Sequence, residues 1–593
     1  MTLDFDGYGN IGEAFAERVA AHPGRTALVI VRGSALEDHE SLTFAELARR
    51  AGVRAAGFAA RLAPGERVII ALPTSAEFVE VYLACLFAGL VAVPVPAPDG
   101  AAGTGSTRAA ERIAGVVGDC APRLAVTTGG DRERLVAWLR DRGLGHVPVE
   151  EVGEAAPGEP AGMPHASARD TLAVLQYSSG STGTPNGVML GHGDILADMA
   201  AFHAGSGAGP GDAFGIWLPL HHDMGLFGQL TAGLLLGAPV ALMPPADFVR
   251  RPVDWLRMIE RHAATITAAP NFAYELCTRL IPDEHLDGLD LSRLRIVFNG
   301  SEPIHVPTVA AFTKRFARTG LRPEAMVAAY GLAEATVFVS GTPLGVPPTV
   351  LVADPDRLES AEHPALVATT RGDGKEIIGV GTPPDVFEVR IVDPRTRRRL
   401  PDGAIGEIWL RGAAIGRGYW GRTELSASVF AARLAGDDGG PASSGWLRTG
   451  DLGALVNGEL FVTGRLREMM IVHGRNVFPQ DVEQAARDGR PELAGLVGAA
   501  FGVSAPDERI VLVHEVAPAT PAGELPAVAT AVSRRLTAAM GVPVRNVLLV
   551  RRGTVHRTTS GKIRRGEMRA RFLAGEIDAL HAELEPDVQR LIG

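Results

Sequence analysis

The chain has 593 residues, too long for one compact core; about 150 residues per domain predicts three or four units. Hydrophobic residues make up 46% and charged residues 21%, which excludes a disordered or fibrous chain, and the formal net charge of −10 argues against a nucleic-acid partner. The three cysteines, Cys85, Cys120 and Cys277, have no paired spacing, so neither a disulfide framework nor a zinc site is expected.

The acidic N-terminus, MTLDFDGYGN, lacks the basic and apolar regions of a signal peptide, and a reducing, cytoplasmic location is expected. FAELARRAGVRAAGFAARL reads as an amphipathic helix and ERVIIALP as a strand. The longest apolar run, Phe78 to Val95, contains Glu80 and Pro94. It divides into a buried helix (FVEVYLACLFAGL) and a buried strand (VAVPV), so no membrane span is expected. The small-residue stretches APDGAAGTGSTRAA, from Ala97, and GEAAPGEPAGMPHASARD, Gly153 to Asp170, read as exposed loops. The strand TLAVLQY follows. From Phe387 the pattern changes to short strands (VFEVRIVD, AIGEIWLRG, GELFVTG), which predicts a β-rich subdomain at about 385–466. The loop Gly436 to Gly445 reads as mobile. Residues 467–593 form a final α+β unit with the strands RIVLVHEVA and VRNVLLVRR, and no internal repeat is evident.

The strongest local signal is Tyr177-Ser-Ser-Gly-Ser-Thr-Gly-Thr-Pro-Asn-Gly187, directly after a strand. Small residues let backbone N–H groups approach a phosphate, and the hydroxyls of Ser178, Ser179, Ser181 and Thr182 add uncharged donors around Gly180 and Gly183. It is not a Walker loop, which ends in Gly-Lys-Ser/Thr. Taken alone, the segment also reads as a flexible linker.

SSGSTGTPNG resembles the phosphate loop of the acyl-adenylate-forming superfamily, and further segments resemble that family's signatures in its order. They are LPLHHDMG (Leu218 to Gly225), NGSEP (Asn299 to Pro303), YGLAEAT (Tyr330 to Thr336), WLRTGDLG (Trp446 to Gly453), TGRLREMMIVHGRN and RTTSGKIRR (Arg557 to Arg565). The resemblance implies an α/β fold. A large N-terminal domain (1–466) would hold two αβ-layered subdomains and the small β-rich one, followed by a small, mobile α+β C-terminal domain (467–593).

It also implies roles. Asn299, Gly300 and Ser301 cover adenine, on which Tyr330 stacks beside Gly331. Asp451 and Arg465 hold the ribose, a task suited to a carboxylate and a guanidinium. Glu334, with Thr182, holds the Mg²⁺ that bridges the phosphates of ATP. His222 lies near the substrate carboxylate. Lys562 supplies an ammonium where a carboxylate attacks the α-phosphate and negative charge develops. Arg467 is the hinge.

Within the superfamily, WLPLHHDMGL, RPVDWLRMIERHAATITAAPNFAYELC and GRNVFPQDVE resemble the fatty acyl-AMP ligases. So does the long interval from Tyr330 to Gly381, whose extra residues 347–375 match the insertion that restrains the C-terminal domain in those ligases. The implied activity is ATP-dependent conversion of a fatty acid to acyl-AMP, then transfer to the phosphopantetheine thiol of a separate holo acyl carrier protein. A fatty acyl-CoA synthetase and a non-catalytic acyl- or nucleotide-binding relative are the alternatives. Two positions depart from the pattern. Asn186 stands where many relatives have lysine, and Arg467-Glu468 replaces the usual hinge pair.

Overall fold

The computed structural model describes residues 3–33, 38–98, 106–153, 167–178, 186–372, 374–436, 445–558 and 561–592. Two mainly parallel sheets dominate the large domain. The first runs Val149–Glu151, Leu124–Thr127, Arg67–Ala71, Val91–Pro94, Leu172–Ser178 and Asn186–Gly191, the last strand being antiparallel to its neighbour. The second has eight strands, with Phe214–Ile216, Ile266–Ala269, Ile296–Asn299 and Met326–Tyr330 parallel in its interior and an antiparallel strand at each edge. Strands buried on both faces read as continuous apolar runs, which is why VIIA and VAVP carry no alternation.

The apolar run from Phe78 forms the helix Ala76–Phe87, started by Ser75, whose Oγ accepts from the Phe78 N–H at 3.3 Å, and is buried nearly all round. Glu80 within it is buried against Arg54 (2.7 Å) and Arg50 (3.3 Å), so the charge is paired inside the fold. No helix among the described residues is long and apolar enough to cross a membrane. All three cysteines are free and buried.

The stretch from Ala97 corrects one expectation. It is buried through Pro98, and a helix, Ser106–Cys120, begins inside the segment read as a loop. Its start, Ser-Thr-Arg-Ala-Ala, is compositionally loop-like, and the apolar side that anchors it (Ile113, Val116, Val117) lies further on. The expected loops at 153–170 and 436–445 fall mostly on residues 154–166 and 437–444, outside the described residues.

The β-rich part is an antiparallel meander of Phe387–Val392, Gly406–Gly412, Leu447–Val456 and Glu459–Arg465. After Arg465 a new core begins. A four-stranded sheet of Gly498–Ala505, Asp507–Glu515, Asn546–Val550 and Ala579–Glu583 is covered on one side by the helices Pro479–Arg487 and Leu525–Met540. On the other it is covered by Arg565–Leu573. The architecture is the expected α/β one, a large N-terminal domain with a small C-terminal domain.

Candidate functional site

The interior parallel strands of the large sheet end at a cavity of about 1880 Å³, the position where open α/β sheets bind ligands. Strand Ile296–Asn299 delivers Gly300, Ser301 and Glu302 to it, and strand Met326–Tyr330 delivers Tyr330, Gly331 and Glu334. The third sheet adds Asp451 and Arg465, the first adds Asn186, and Arg467 and Lys562 complete the wall.

The turns at these strand ends are tightly specified. A Cβ on Gly331 would lie 1.6 Å from the Val337 carbonyl oxygen, and one on Gly300 would lie 2.8 Å from that of Ala329, so neither position accepts a side chain. Ser301 (φ +70°) and Thr336 (φ +63°) hold left-handed backbone that L-residues rarely adopt, at the two loops facing the cavity.

Asp451 sits directly opposite Arg465 in the antiparallel register, which is why the two meet. Arg465 Nε donates to Asp451 Oδ1 at 2.9 Å, and the Tyr330 hydroxyl donates to Oδ2 at 2.8 Å. The Asp451 carboxylate raises the pKa of the Arg465 guanidinium against the opposing effect of desolvation, so the pair is ionic. Glu334 lines the cavity with its Oε1 accepting from the Tyr419 hydroxyl at 2.7 Å, and burial pushes its carboxyl above the usual range.

Lys562 is carried by a turn that Thr558 builds. Thr558 Oγ1 accepts from the Lys562 N–H (3.0 Å), and the Thr558 N–H donates to the Lys562 carbonyl (2.7 Å). Gly561 has φ +89° and is so close to Phe272 of the large domain that a Cβ would come within 2.7 Å of the ring. Burial, then Arg465, lowers the pKa of Lys562, while the carboxylates of Asp223, Glu302 and Asp451 pull it up. Three acids thus surround one ammonium.

The structure brings Gly300, Ser301, Tyr330, Gly331, Glu334, Asp451, Arg465, Arg467 and Lys562 to one cavity. Asn299 and His222 are not among its lining residues. Asn299 is buried behind it, donating to Asn271 at 3.3 Å. His222 packs on His221 with ring centroids 4.7 Å apart, and burial drives its pKa well below the usual range. The neighbouring Asp223 and Met224 line the cavity instead. Ser178 ends its strand opposite Asn186, so the phosphate-loop sequence joins an antiparallel pair. Ser179, Gly180, Ser181, Thr182 and Gly183 lie outside the described residues. Sequence reasoning passed over Asp223, Glu302 and Phe272, although all three stand inside quoted segments, and over Tyr419, which carried no local signal.

Residues 347–375 form a ribbon, Val350–Ala353 paired with Lys375–Ile378, around a short helix Pro355–Leu358. The ribbon grips the hairpin that follows the proposed hinge. The Asn476 N–H donates to the Glu359 carbonyl (2.7 Å), Asn476 Nδ2 to that of Ser360 (3.0 Å), and Arg475 pairs with the Glu359 carboxylate at 2.8 Å. Lys375 pairs with Asp481. On its other side the ribbon joins the β-rich sheet: the Leu366 N–H donates to Gly403 and the Ile405 N–H to Pro364.

A family model described as AMP-binding enzyme matches residues 15–420. The long-chain-fatty-acid–AMP ligase FadD26 of Mycobacterium marinum is 35% identical, over 90% of this chain and 91% of its own length. A Mycobacterium tuberculosis protein whose provisional name is fatty-acid–CoA ligase fadD25 is 34% identical over 95% and 98%. A structure solved in a study of fatty acyl-adenylate ligases from E. coli and L. pneumophila superposes with a TM-score of 0.84 at 28% identity, covering 96% of this chain and 98% of that one. The order of the motifs, their convergence on one cavity and these likenesses agree: the chain belongs to the AMP-binding enzyme family.

Proposed function

We propose that the protein is a fatty acyl-AMP ligase, which activates a fatty acid with ATP, releases pyrophosphate and passes the acyl group to a carrier-protein thiol. The observation that carries this reading is Lys562 held among Asp223, Glu302 and Asp451 at the cavity that Tyr330, Glu334 and Arg465 also line. Another part of the same lining is apolar: Phe202, Phe298 and Phe338 stand with ring centroids 5.5 to 6.2 Å apart, beside Ala268 and Val337, and suit an alkyl chain.

In this mechanism Asp451 and Arg465 orient the ribose, and Tyr330 packs beside adenine while its hydroxyl fixes the Asp451 carboxylate. The Gly300 and Gly331 turns bring backbone close to the base. The fatty carboxylate attacks the α-phosphate, the bond to the β-phosphate breaks, and pyrophosphate takes the electron pair. Lys562 offsets the charge that builds on the α-phosphate and bridging oxygens. The carboxylates of Asp223, Glu302 and Asp451 oppose the desolvation that lowers the ammonium's pKa, and in a water-poor place its charge counts for more than in water.

Glu334 offers a hard oxygen donor, and its raised pKa marks a buried carboxylate that a cation would relieve. No cluster of three or more metal-ligating side chains exists among the described residues. That fits Mg²⁺, which takes one or two carboxylates and completes its shell with phosphates and water. When bound, Mg²⁺ would neutralise phosphate charge; Glu334 would hold it, with Thr182 as a second contact.

Rotation about Arg467 would then turn Lys562 away and open the site to a phosphopantetheine thiol. The ribbon 347–375 holds the moving part and is the proposed gate against coenzyme A. The name borne by fadD25 favours the other outcome, an acyl-CoA synthetase. One assay decides: pyrophosphate release with ATP and fatty acids of several lengths, followed by acyl transfer to a holo carrier protein or to coenzyme A. Adenylate formation with transfer to the carrier and little acyl-CoA is expected. Coenzyme A consumed as fast as adenylate is made would establish the synthetase instead.

A further inference from the structure

Among the residues that line the cavity with the phenylalanines is a buried glutamine. Gln229 lies in the π-helical turn Leu226–Thr231, directly after the LPLHHDMG segment, and all six residues of that turn are buried. Short π-helical turns recur at functional sites. Gln229 itself is 1% exposed and lines the cavity. Gly228, next to it, faces Val337: a Cβ there would meet that side chain at 3.5 Å. Gln229 thus follows a residue that packs on Val337, and it lines the same cavity as Val337 and Phe338. Its Nε2 donates to the Gly228 carbonyl at 2.8 Å, while its Oε1 is buried and has no hydrogen-bond partner among the described residues.

A buried carbonyl oxygen without a partner carries a standing desolvation penalty. A plain alkyl chain alongside leaves that penalty in place, whereas a chain bearing a donor at the right carbon removes it. An ammonium is the poorer donor, because desolvating a charge costs far more than one neutral hydrogen bond returns, and the Asp198 carboxylate behind this wall is already engaged by the Phe338 N–H. A hydroxyl remains, small enough for the wall and able to donate to Oε1.

Resting on the fatty-acid reading above, we propose that Gln229 is a specificity-determining residue that selects acids carrying a hydroxyl on the chain. It acts by accepting a hydrogen bond from that hydroxyl and takes no part in the adenylation chemistry.

The test is kcat/KM from pyrophosphate release, measured with an unsubstituted acid and with acids of the same length hydroxylated at successive carbons. One position is expected to be favoured over the unsubstituted acid by about 3- to 10-fold, the worth of one neutral hydrogen bond. An amide-bearing acid of matched length is the second arm; selection of that acid in place of every hydroxy acid would overturn the hydroxyl assignment. Gln229→Leu and Gln229→Met, close in volume, should bring the ratio near one while still activating the unsubstituted acid. That split is one a merely structural glutamine would not produce. No favoured hydroxyl position in the wild type overturns the proposal without any variant, as does a ratio that survives in either variant. Absence of acid-dependent pyrophosphate release with every acid, hydroxylated or not, would instead overturn the fatty-acid reading, so the two failures are distinguishable.

Discussion

Two of the contacts between the C-terminal domain and the rest of the protein are of opposite character. At the lysine loop, Lys562 faces Asp223, Glu302 and Asp451 through charge, and Gly561 lies against the Phe272 ring. At the ribbon 347–375 the contact is made of directed bonds: the Glu359 and Ser360 carbonyls to Asn476, Glu359 to Arg475, and Lys375 to Asp481. Charge acting over several ångströms tolerates displacement, whereas hydrogen bonds weaken steeply once bent or stretched. On the proposed rotation, the lysine loop is therefore the contact that would release and the ribbon the one that would resist.

The sharpest test of that contrast is Lys562→Ala. It should cost adenylation roughly 10²- to 10³-fold, the usual loss for one charge-stabilising donor, and cost thioester formation from pre-made acyl-adenylate far less. Equal losses in both half-reactions would erase the distinction between the two contacts. A pH profile sharpens it. Burial lowers the pKa of Lys562, so the ammonium is present at lower pH and is lost as pH rises through that value. The alkaline limb of kcat/KM for the free enzyme should fall below the usual lysine range, and Lys562→Arg should flatten it, since guanidinium keeps its proton.

Removing residues 347–375 with a short Gly-Ser closure should raise acyl-CoA output on the order of tenfold, because several directed bonds are lost, and leave pyrophosphate release nearly intact. Unchanged acyl-CoA output would mean that the ribbon does not gate. The smallest effect is expected from Asn186→Lys. This residue lines the cavity opposite the strand end at Ser178, and a lysine there should lower the KM for ATP by about 2- to 3-fold. An unchanged KM would mean that the side chain does not face the phosphates.

Much of this arrangement was legible in the sequence. The strands VIIA, VAVP and LAVLQY, the helix after Ser75 and the β-rich texture after Phe387 follow from local pattern, and the structure has them within a few residues. The shared cavity was legible for Tyr330, Asp451, Arg465 and Lys562 because each sits in a segment that resembles one of the superfamily's signatures. What stayed hidden depends on contacts between distant segments. Tyr419 meets Glu334 across 85 positions, and Arg475 meets Glu359 across 116. Neither pair has a spacing that a local pattern could report. His222 stacks its ring near His221 in the turn after Pro219 and feels the charge of Lys562, while the adjacent Asp223 and Met224 line the cavity, a division of one signature that its letters do not report. Gln229 was passed over because a single polar residue in LFGQLT is common on a helix face, and only the burial of that face makes it unusual.

The guanidinium of Arg565 forms a fork whose Nε and Nη2 bind both oxygens of Glu483 at 2.7 Å, while Nη1 reaches Glu468 at 2.6 Å. Glu468 is the residue after the proposed hinge, and Arg565 is three positions past Lys562. The proposed pivot and the proposed catalytic lysine are thus tied through one ionic fork. On the proposed rotation, turning the backbone at Arg467 would withdraw Lys562 in the same stroke. The lysine would then not remain to catalyse the return of pyrophosphate while the thiol approaches. A single mechanical event would both commit the acyl-adenylate and expose it, giving the two half-reactions a fixed order without any separate timing device.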